Sequence, residues 1–289
     1  MSFIEILFSN PLIQTAFIAG ILASIASGIV GSYVVVKRIV FISGSIAHSV
    51  LGGMGFFLWL KRTQEIDWLS PMHGAIVAGI FSALTIGLIH LRYKQREDSV
   101  IATLWSTGMA IGIIFISLTP GANTELDSFL IGNLLWVSQS DLWMLLGLDA
   151  LILFFVGIFH KKFLAIIFDE EHALLQGIPV EPLYLLLLSL TAIAIVLLIQ
   201  IVGVILVIAI LTLPPTIANL FTRKLSTMMF IAFILGCLFC FSGITISYIF
   251  DWPPGATIAL LGGLSYLSSL AWTEKTHQQK KSRLVSNKF

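Results

Sequence analysis

Charge is what this 289-residue chain has least of. Asp, Glu, Lys and Arg make up 11% of it, against 57% apolar residues. A soluble domain carries about 25% charged residues. There is too little charge here to cover a water-facing surface, so the composition points to a membrane. The net charge is +1, which gives no reason to expect nucleic acid. Cys237 and Cys240 are the only cysteines. They lie in one apolar run and form neither a disulfide framework nor a zinc knuckle. They read as small hydrophobes in a helix. The N-terminus, MSFIEILFSNPL, has no basic n-region and no small-residue cleavage site, so no cleaved signal peptide is expected. No Walker A pattern is present, so the chain is not expected to hydrolyse ATP by that route. No HExxH occurs, and no His/Cys/Asp cluster has close metal-ligand spacing. An intramembrane enzyme therefore lacks a recognisable constellation.

What the chain does have is apolar runs long enough to cross a bilayer. Nine candidate spans cover roughly 12–36, 41–60, 73–91, 99–118, 142–159, 183–200, 203–221, 226–250 and 254–272. The sixth and seventh form one apolar stretch from Leu183 to Phe221, close to two crossings of about 20 residues each. Gln200–Gly203 is the only place for a hairpin between them. The expected fold is an all-α polytopic membrane bundle. Residues 1–272 are the membrane unit, and 273–289 are a basic tail.

The basic residues give an orientation. Fourteen of the sixteen fall on one side: Lys37, Arg38, Arg92, Lys94, Arg96, Lys161, Lys162, Arg223, Lys224 and five in the C-terminal tail. Lys61 and Arg62 fall on the other. The positive-inside rule then places the basic loops and the C-terminus in the cytoplasm and the N-terminus outside. In the longer outer loop, 119–141, the apolar piece Phe129–Val137 is too short to cross and fits a re-entrant or interfacial segment.

The inner loop reads HKKFLAIIFDEEHALLQGIPVEP. Asp169 suits an N-cap, Gly177 a C′ position, and Pro179 stops further helix. Glu170 and Glu171 sit early, where the helix dipole favours acids. A two-turn helix is expected over about 168–177, either as a docking element or as an ordinary interfacial helix.

Several spans carry small or polar residues. In the first, Gly20, Ser24, Ser27, Gly28 and Gly31 recur at spacings that let helices approach closely. In the second, His48 lies about 10 Å inside the membrane edge, among Gly44, Ser45, Gly52, Gly53 and Gly55. An intramembrane histidine faces the bundle interior or a water-filled cavity. Imidazole suits zinc and iron and binds manganese more weakly. His48 is therefore either a transient ligand on a path or a neutral ring bonded across to a neighbouring helix. Asp149 is the only acid deep in a span, and either lines a pathway or pairs across the bundle. Pro214 and Pro215 interrupt the seventh span's ladder, at a binding site or at a simple kink.

Five segments carry a resemblance: VVVKRIVFISGSIAHSVLGG (34–53), FLIGNLLWVSQSDL (129–142), FDEEHALLQGIPV (168–180), VGVILVIAILTLPPTIA (202–218) and PPGATIALL (253–261). In this order and spacing the chain resembles the permease subunit of bacterial ABC importers of zinc, manganese and iron, over roughly residues 10–272. The resemblance implies a divalent metal as cargo, with ATP used by separate ATPase subunits. It also implies an external metal-binding protein, a second permease chain, and a place in the bacterial inner membrane. The 168–177 segment, with Asp169, Glu170, Glu171, Ala173 and Gly177, would couple to the ATPase. His48 falls on a histidine typical of the family. The family's common aspartate four residues earlier is here Gly44, and its PAATA is here Pro214–Ala218. Two rivals stand beside this reading. One is a secondary transporter or channel, for which no internal repeat is found. The other is a non-transporting membrane scaffold.

Overall fold

Glycine 203 decides how many times this chain crosses. The computed structural model describes residues 10–66, 68–93, 97–121, 132 and 134–286, and these are folded into helices and connecting turns. The helices are α1 (Pro11–Lys37), α2 (Val40–Thr63), α3 (Pro71–Tyr93), α4 (Glu97–Leu118), α5 (Gln139–Phe168), α6 (Glu170–Leu175), α7 (Val180–Phe221), α8 (Leu225–Phe250) and α9 (Pro254–Ser286). Among the described residues, 8 of these are long and apolar enough to cross a membrane. α7 has 42 residues and one non-helical residue, Gly203. A straight helix would carry Leu211 about 40 Å beyond Tyr184. Instead both meet the same end of α1. Tyr184 lies under the Lys37 ammonium, 5.6 Å from it, and the Leu211 carbonyl abuts Gly31. Gly31 and Lys37 are about 9 Å apart along the helix. The chain therefore reverses at Gly203, within the Gln200–Gly203 hairpin expected from the sequence. α7 makes two crossings, 180–202 and 204–221, which gives nine among the described residues.

The backbone at Gly203 has φ 81° and ψ 165°, a region essentially closed to residues with a Cβ. Gly132 presses on this turn, and a Cβ there would overlap the Val202 carbonyl. Residues 129–131 and 133 of the Phe129–Val137 segment lie outside the described residues. Its Leu134–Trp136 part forms a 3₁₀ turn with Leu134 buried and Trp136 exposed.

The rest of the bundle is arranged around α7, which packs on α1, α2, α3, α5, α8 and α9. The small residues of α1 are a packing face. A Cβ on Gly20 would come 2.9 Å from that of Cys240, and one on Gly28 would come 3.0 Å from the Phe233 nitrogen. Pro214 and Pro215 sit inside a helix that stays helical through both. Proline 215 has no N–H to offer Leu211, and the glycine at position 31 lets α1 close on that carbonyl. The last helix continues to Ser286, so the segment after Trp272 begins as a helical extension of the ninth crossing.

Candidate functional site

Glycine contacts on both sides of α2 set how closely α3 and α4 pack on the helix that carries His48. Gly53 and Gly74 are so close that a Cβ on either would overlap the other's carbonyl oxygen, which brings α3 against α2. On the other side, a Cβ on Gly52 would lie 2.8 Å from the Gly108 carbonyl, and one on Gly55 would lie 2.8 Å from that of Gly112. These contacts hold α4 against α2. The glycines that thin α2 are thus filled by neighbouring backbones, as close helix packing in a bilayer requires. Between the three helices a cavity of about 290 Å³ remains, lined by Ser49, Gly52, Gly53, Ser82, Thr107 and Gly108 among others. The Ser49 and Ser82 hydroxyls bond to each other at 2.8 Å.

His48 directly precedes Ser49 in the chain but is not itself among the residues that line this cavity. It is partly buried. Its ring stacks on Trp105 of α4, with centroids 4.3 Å apart and planes 11° from parallel. Gly44 faces the same indole, 3.6 Å from its nearest carbon to an ideal Cβ. Stacking fixes the ring plane without using the nitrogens. An imidazole held this way can offer a lone pair to a passing cation.

Asp149 is elsewhere. It lies on α5, is 5% exposed, and is turned toward the Ala26 backbone of α1. Neither carboxylate oxygen has a hydrogen-bond partner among the described residues. The structure does not bring Asp149 and His48 together. Among the described residues, no group of three or more His, Cys, Asp or Glu side chains is placed to hold a metal ion.

The inner loop folds as the caps dictate. Asp169 is the N-cap of α6, and its carboxylate accepts the His172 N–H at 2.9 Å. Gly177 has φ 75°. Its N–H reaches the Leu174 carbonyl while the Ile178 N–H reaches that of Ala173, the paired closure of a Schellman motif. Ala173 is buried at 1%, whereas Leu174 and Leu175 are 66% and 84% exposed. Glu170 is ion-paired to Lys37 at 2.5 Å. Hydrogen bonding from His90, together with Lys37, holds the Glu170 carboxyl down to about 2, against the opposing effect of burial.

Sequence reasoning singled out His48, the glycines and the α6 caps. It missed Trp105, the Ser49–Ser82 pair, Gly203's backbone and the partners of Glu170. A lone tryptophan on an apolar helix gives no signal of its own, and Lys37 was legible only as one more loop charge.

Among the described residues, nine crossings and a capped helix between the fifth and sixth define a polytopic α-helical membrane bundle. The family model for the ABC 3 transport family matches residues 9–273, and the chain belongs to that family as a membrane-spanning subunit. It is 51% identical over 263 residues to the probable metal transport system membrane protein of Chlamydia pneumoniae, covering 91% of this chain and 89% of that one. It is 31% identical over 273 residues to the manganese transport system membrane protein MntC of Halalkalibacterium halodurans, covering 94% and 91%. Among solved structures it resembles a chain of PsaBC from Streptococcus pneumoniae, solved in complex with Fab. The TM-score is 0.80 and the identity 31%, over 92% of this chain and 94% of that one. An inward-facing putative metal-chelate type ABC transporter shares the fold, with a TM-score of 0.69 and 14% identity over 92% and 87%.

Proposed function

We propose that this chain is the transmembrane subunit of an ATP-driven importer of a divalent metal ion, with manganese the first candidate and zinc and iron its rivals. The observation that carries this is the family match along nearly the whole chain, with relatives named for metal and manganese transport. The proposed cargo path runs past His48, which supplies one weak ligand. Weak ligation suits transport, because tight binding would stop release.

ATP hydrolysis belongs to a separate ATPase. Its docking point is α6, whose exposed Leu174 and Leu175 project from the basic face. The basic face is read as cytoplasmic, with the C-terminus on that side and the N-terminus outside. On the outer face an external binding protein would deliver the ion. A second permease chain, identical or sister, would complete the path. The cell membrane is read as the bacterial inner membrane.

The test is reconstitution of this chain with its ATPase and binding protein in vesicles. ATP-dependent uptake of Mn²⁺, Zn²⁺ and Fe²⁺ is measured separately. Uptake of one metal that needs all three components is the expected result. Complexes that hydrolyse ATP and move none of the three would overturn the cargo assignment.

A further inference from the structure

The ends of four crossings converge on the first residue of α6. Lys37, the last residue of α1, donates to Glu170 Oε1 at 2.5 Å and to the Ile166 carbonyl of α5 at 3.2 Å. The same ammonium lies over the Tyr184 ring, at the start of α7. His90, near the end of α3, places Nε2 3.5 Å from the same Glu170 oxygen. The His90 and Tyr184 rings are 5.1 Å apart. A solvated ion pair would do little here. This one is sheltered, with side-chain exposures of 14% for Lys37 and 27% for Glu170.

One turn deeper, a second polar layer ties α1 to the same region. The Tyr33 hydroxyl meets His160 Nδ1 of α5 at 2.8 Å, and His160 Nε2 lies 3.4 Å from the Ser226 hydroxyl of α8. By contrast, α6's own contacts with the bundle are slight beyond Ala173 and this junction. Its two leucines point away. Among the described residues, the polar contacts of α6 with α1 and α3 run through the Glu170 carboxylate, which gives a force applied to α6 a route into both helices.

We propose that the Lys37–Glu170–His90 junction is the link through which movement of α6 reaches α1 and α3. Lys37 and His90 are then positioning residues for transport. This rests on the reading of α6 as the ATPase-docking helix. The junction sits at the crossing ends, so releasing it frees α6 to move with the ATPase while the crossings stay still. Hydrolysis would continue and the opposite face would not respond.

The test uses the full complex with its ATPase, in a background where Cys237 and Cys240 are alanine. Spin labels at Leu118 and Trp252, both exposed at the face opposite α6, report the nucleotide-driven distance change. Glu170→Gln, Lys37→Gln and His90→Gln are read beside the parent, in assembled complexes only. The expected result is parent-like ATP hydrolysis in Lys37→Gln and His90→Gln, with the distance change lost in Glu170→Gln and Lys37→Gln and reduced in His90→Gln. Mn²⁺ uptake per ATP should fall at least tenfold in the first two. The Lys37→Gln/Glu170→Gln double variant should be no worse than either single, because the pair acts as a unit. Parent-like distance changes in these variants would overturn the proposal. So would failure of all three to assemble, which would make the junction a brace. Docking is read separately, by cross-linking a cysteine at Leu175 to the ATPase. Loss of that cross-link in an intact parent complex sinks the docking reading itself.

Discussion

His48 of α2 and Trp105 of α4 stack face to face, 4.3 Å between centroids. The indole sets the ring plane of the His48 imidazole, and Gly44 of α2 faces the same indole. Trp105→Phe keeps an aromatic face, and uptake of Mn²⁺ should stay within about twofold of the parent. Trp105→Ala removes the face and should lower uptake about tenfold, a loss of roughly 1.4 kcal/mol in the transport barrier. His48→Ala should lower it at least as much. Size-exclusion profiles of all three should match the parent, because Trp105 is 36% exposed and not a core support. Parent-like uptake by Trp105→Ala would remove the stack from the path.

The reversal at Gly203 makes a second prediction. With φ 81° and ψ 165°, any residue with a Cβ is strained there by about 1–3 kcal/mol. Gly203→Ala should lower the melting temperature of the detergent-solubilised protein and its yield as a monodisperse species. Gly147→Ala is the control, since nothing lies within 4 Å of a Cβ at that position. Equal behaviour of the two would mean the turn is relaxed.

These two residues also mark how much was legible in sequence. The hairpin was legible because 39 apolar residues cannot be one crossing, and because the basic loops alternate only if the chain turns there. The α6 caps were legible because Asp, Gly and Pro act locally, through side-chain oxygen, positive φ and fixed φ. The partners of His48 and Glu170 were not. Trp105 is 57 positions from His48, and Lys37 is 133 from Glu170. Nothing in an apolar run says which residues meet across helices. Small residues on α1 and α2 signalled close approach but not the neighbour, which is backbone for Gly31 and Gly53 and a side chain for Gly20 and Gly44.

The same distinction separates two glycines on α2. A Cβ on Gly53 would overlap the Gly74 carbonyl, which is backbone and cannot give way cheaply. A Cβ on Gly44 meets Trp105 at 3.6 Å, an ordinary contact. Gly53→Ala should therefore destabilise by about 1–3 kcal/mol, as overpacking does. Gly44→Ala should be neutral or slightly stabilising, since alanine is favoured over glycine in a helix by about 1 kcal/mol. Thermal unfolding followed by intrinsic fluorescence orders the two. The opposite order would mean that α2 and α3 can separate.

Asp149 is buried with neither oxygen bonded among the described residues. A buried charge without a partner is costly, so this carboxyl contributes nothing to assembly through an ion pair. Asp149→Asn should assemble and melt as the parent does. It faces α1 rather than His48, so Mn²⁺ uptake should stay within about twofold. A large loss of uptake with assembly intact would return Asp149 to the cargo path.

Glu170 gives the pH prediction. Its carboxyl is held at about 2, below the usual 4.5, mainly by the hydrogen bond from His90 and then by Lys37. A depressed carboxylate contributes stability above its unfolded value, and that contribution is lost as pH falls through the folded one. The window therefore runs from about 4.5 down to about 2. Between pH 5.5 and 8 Glu170 stays ionised, so its contribution to the melting temperature should be flat. The parent's advantage over Glu170→Gln should be constant across that range and shrink below pH 4.5, vanishing near pH 2. If the advantage instead disappears between pH 6 and 8, a group other than Glu170 controls the junction. His90, which shares the same oxygen, would then be the first to examine by substituting glutamine.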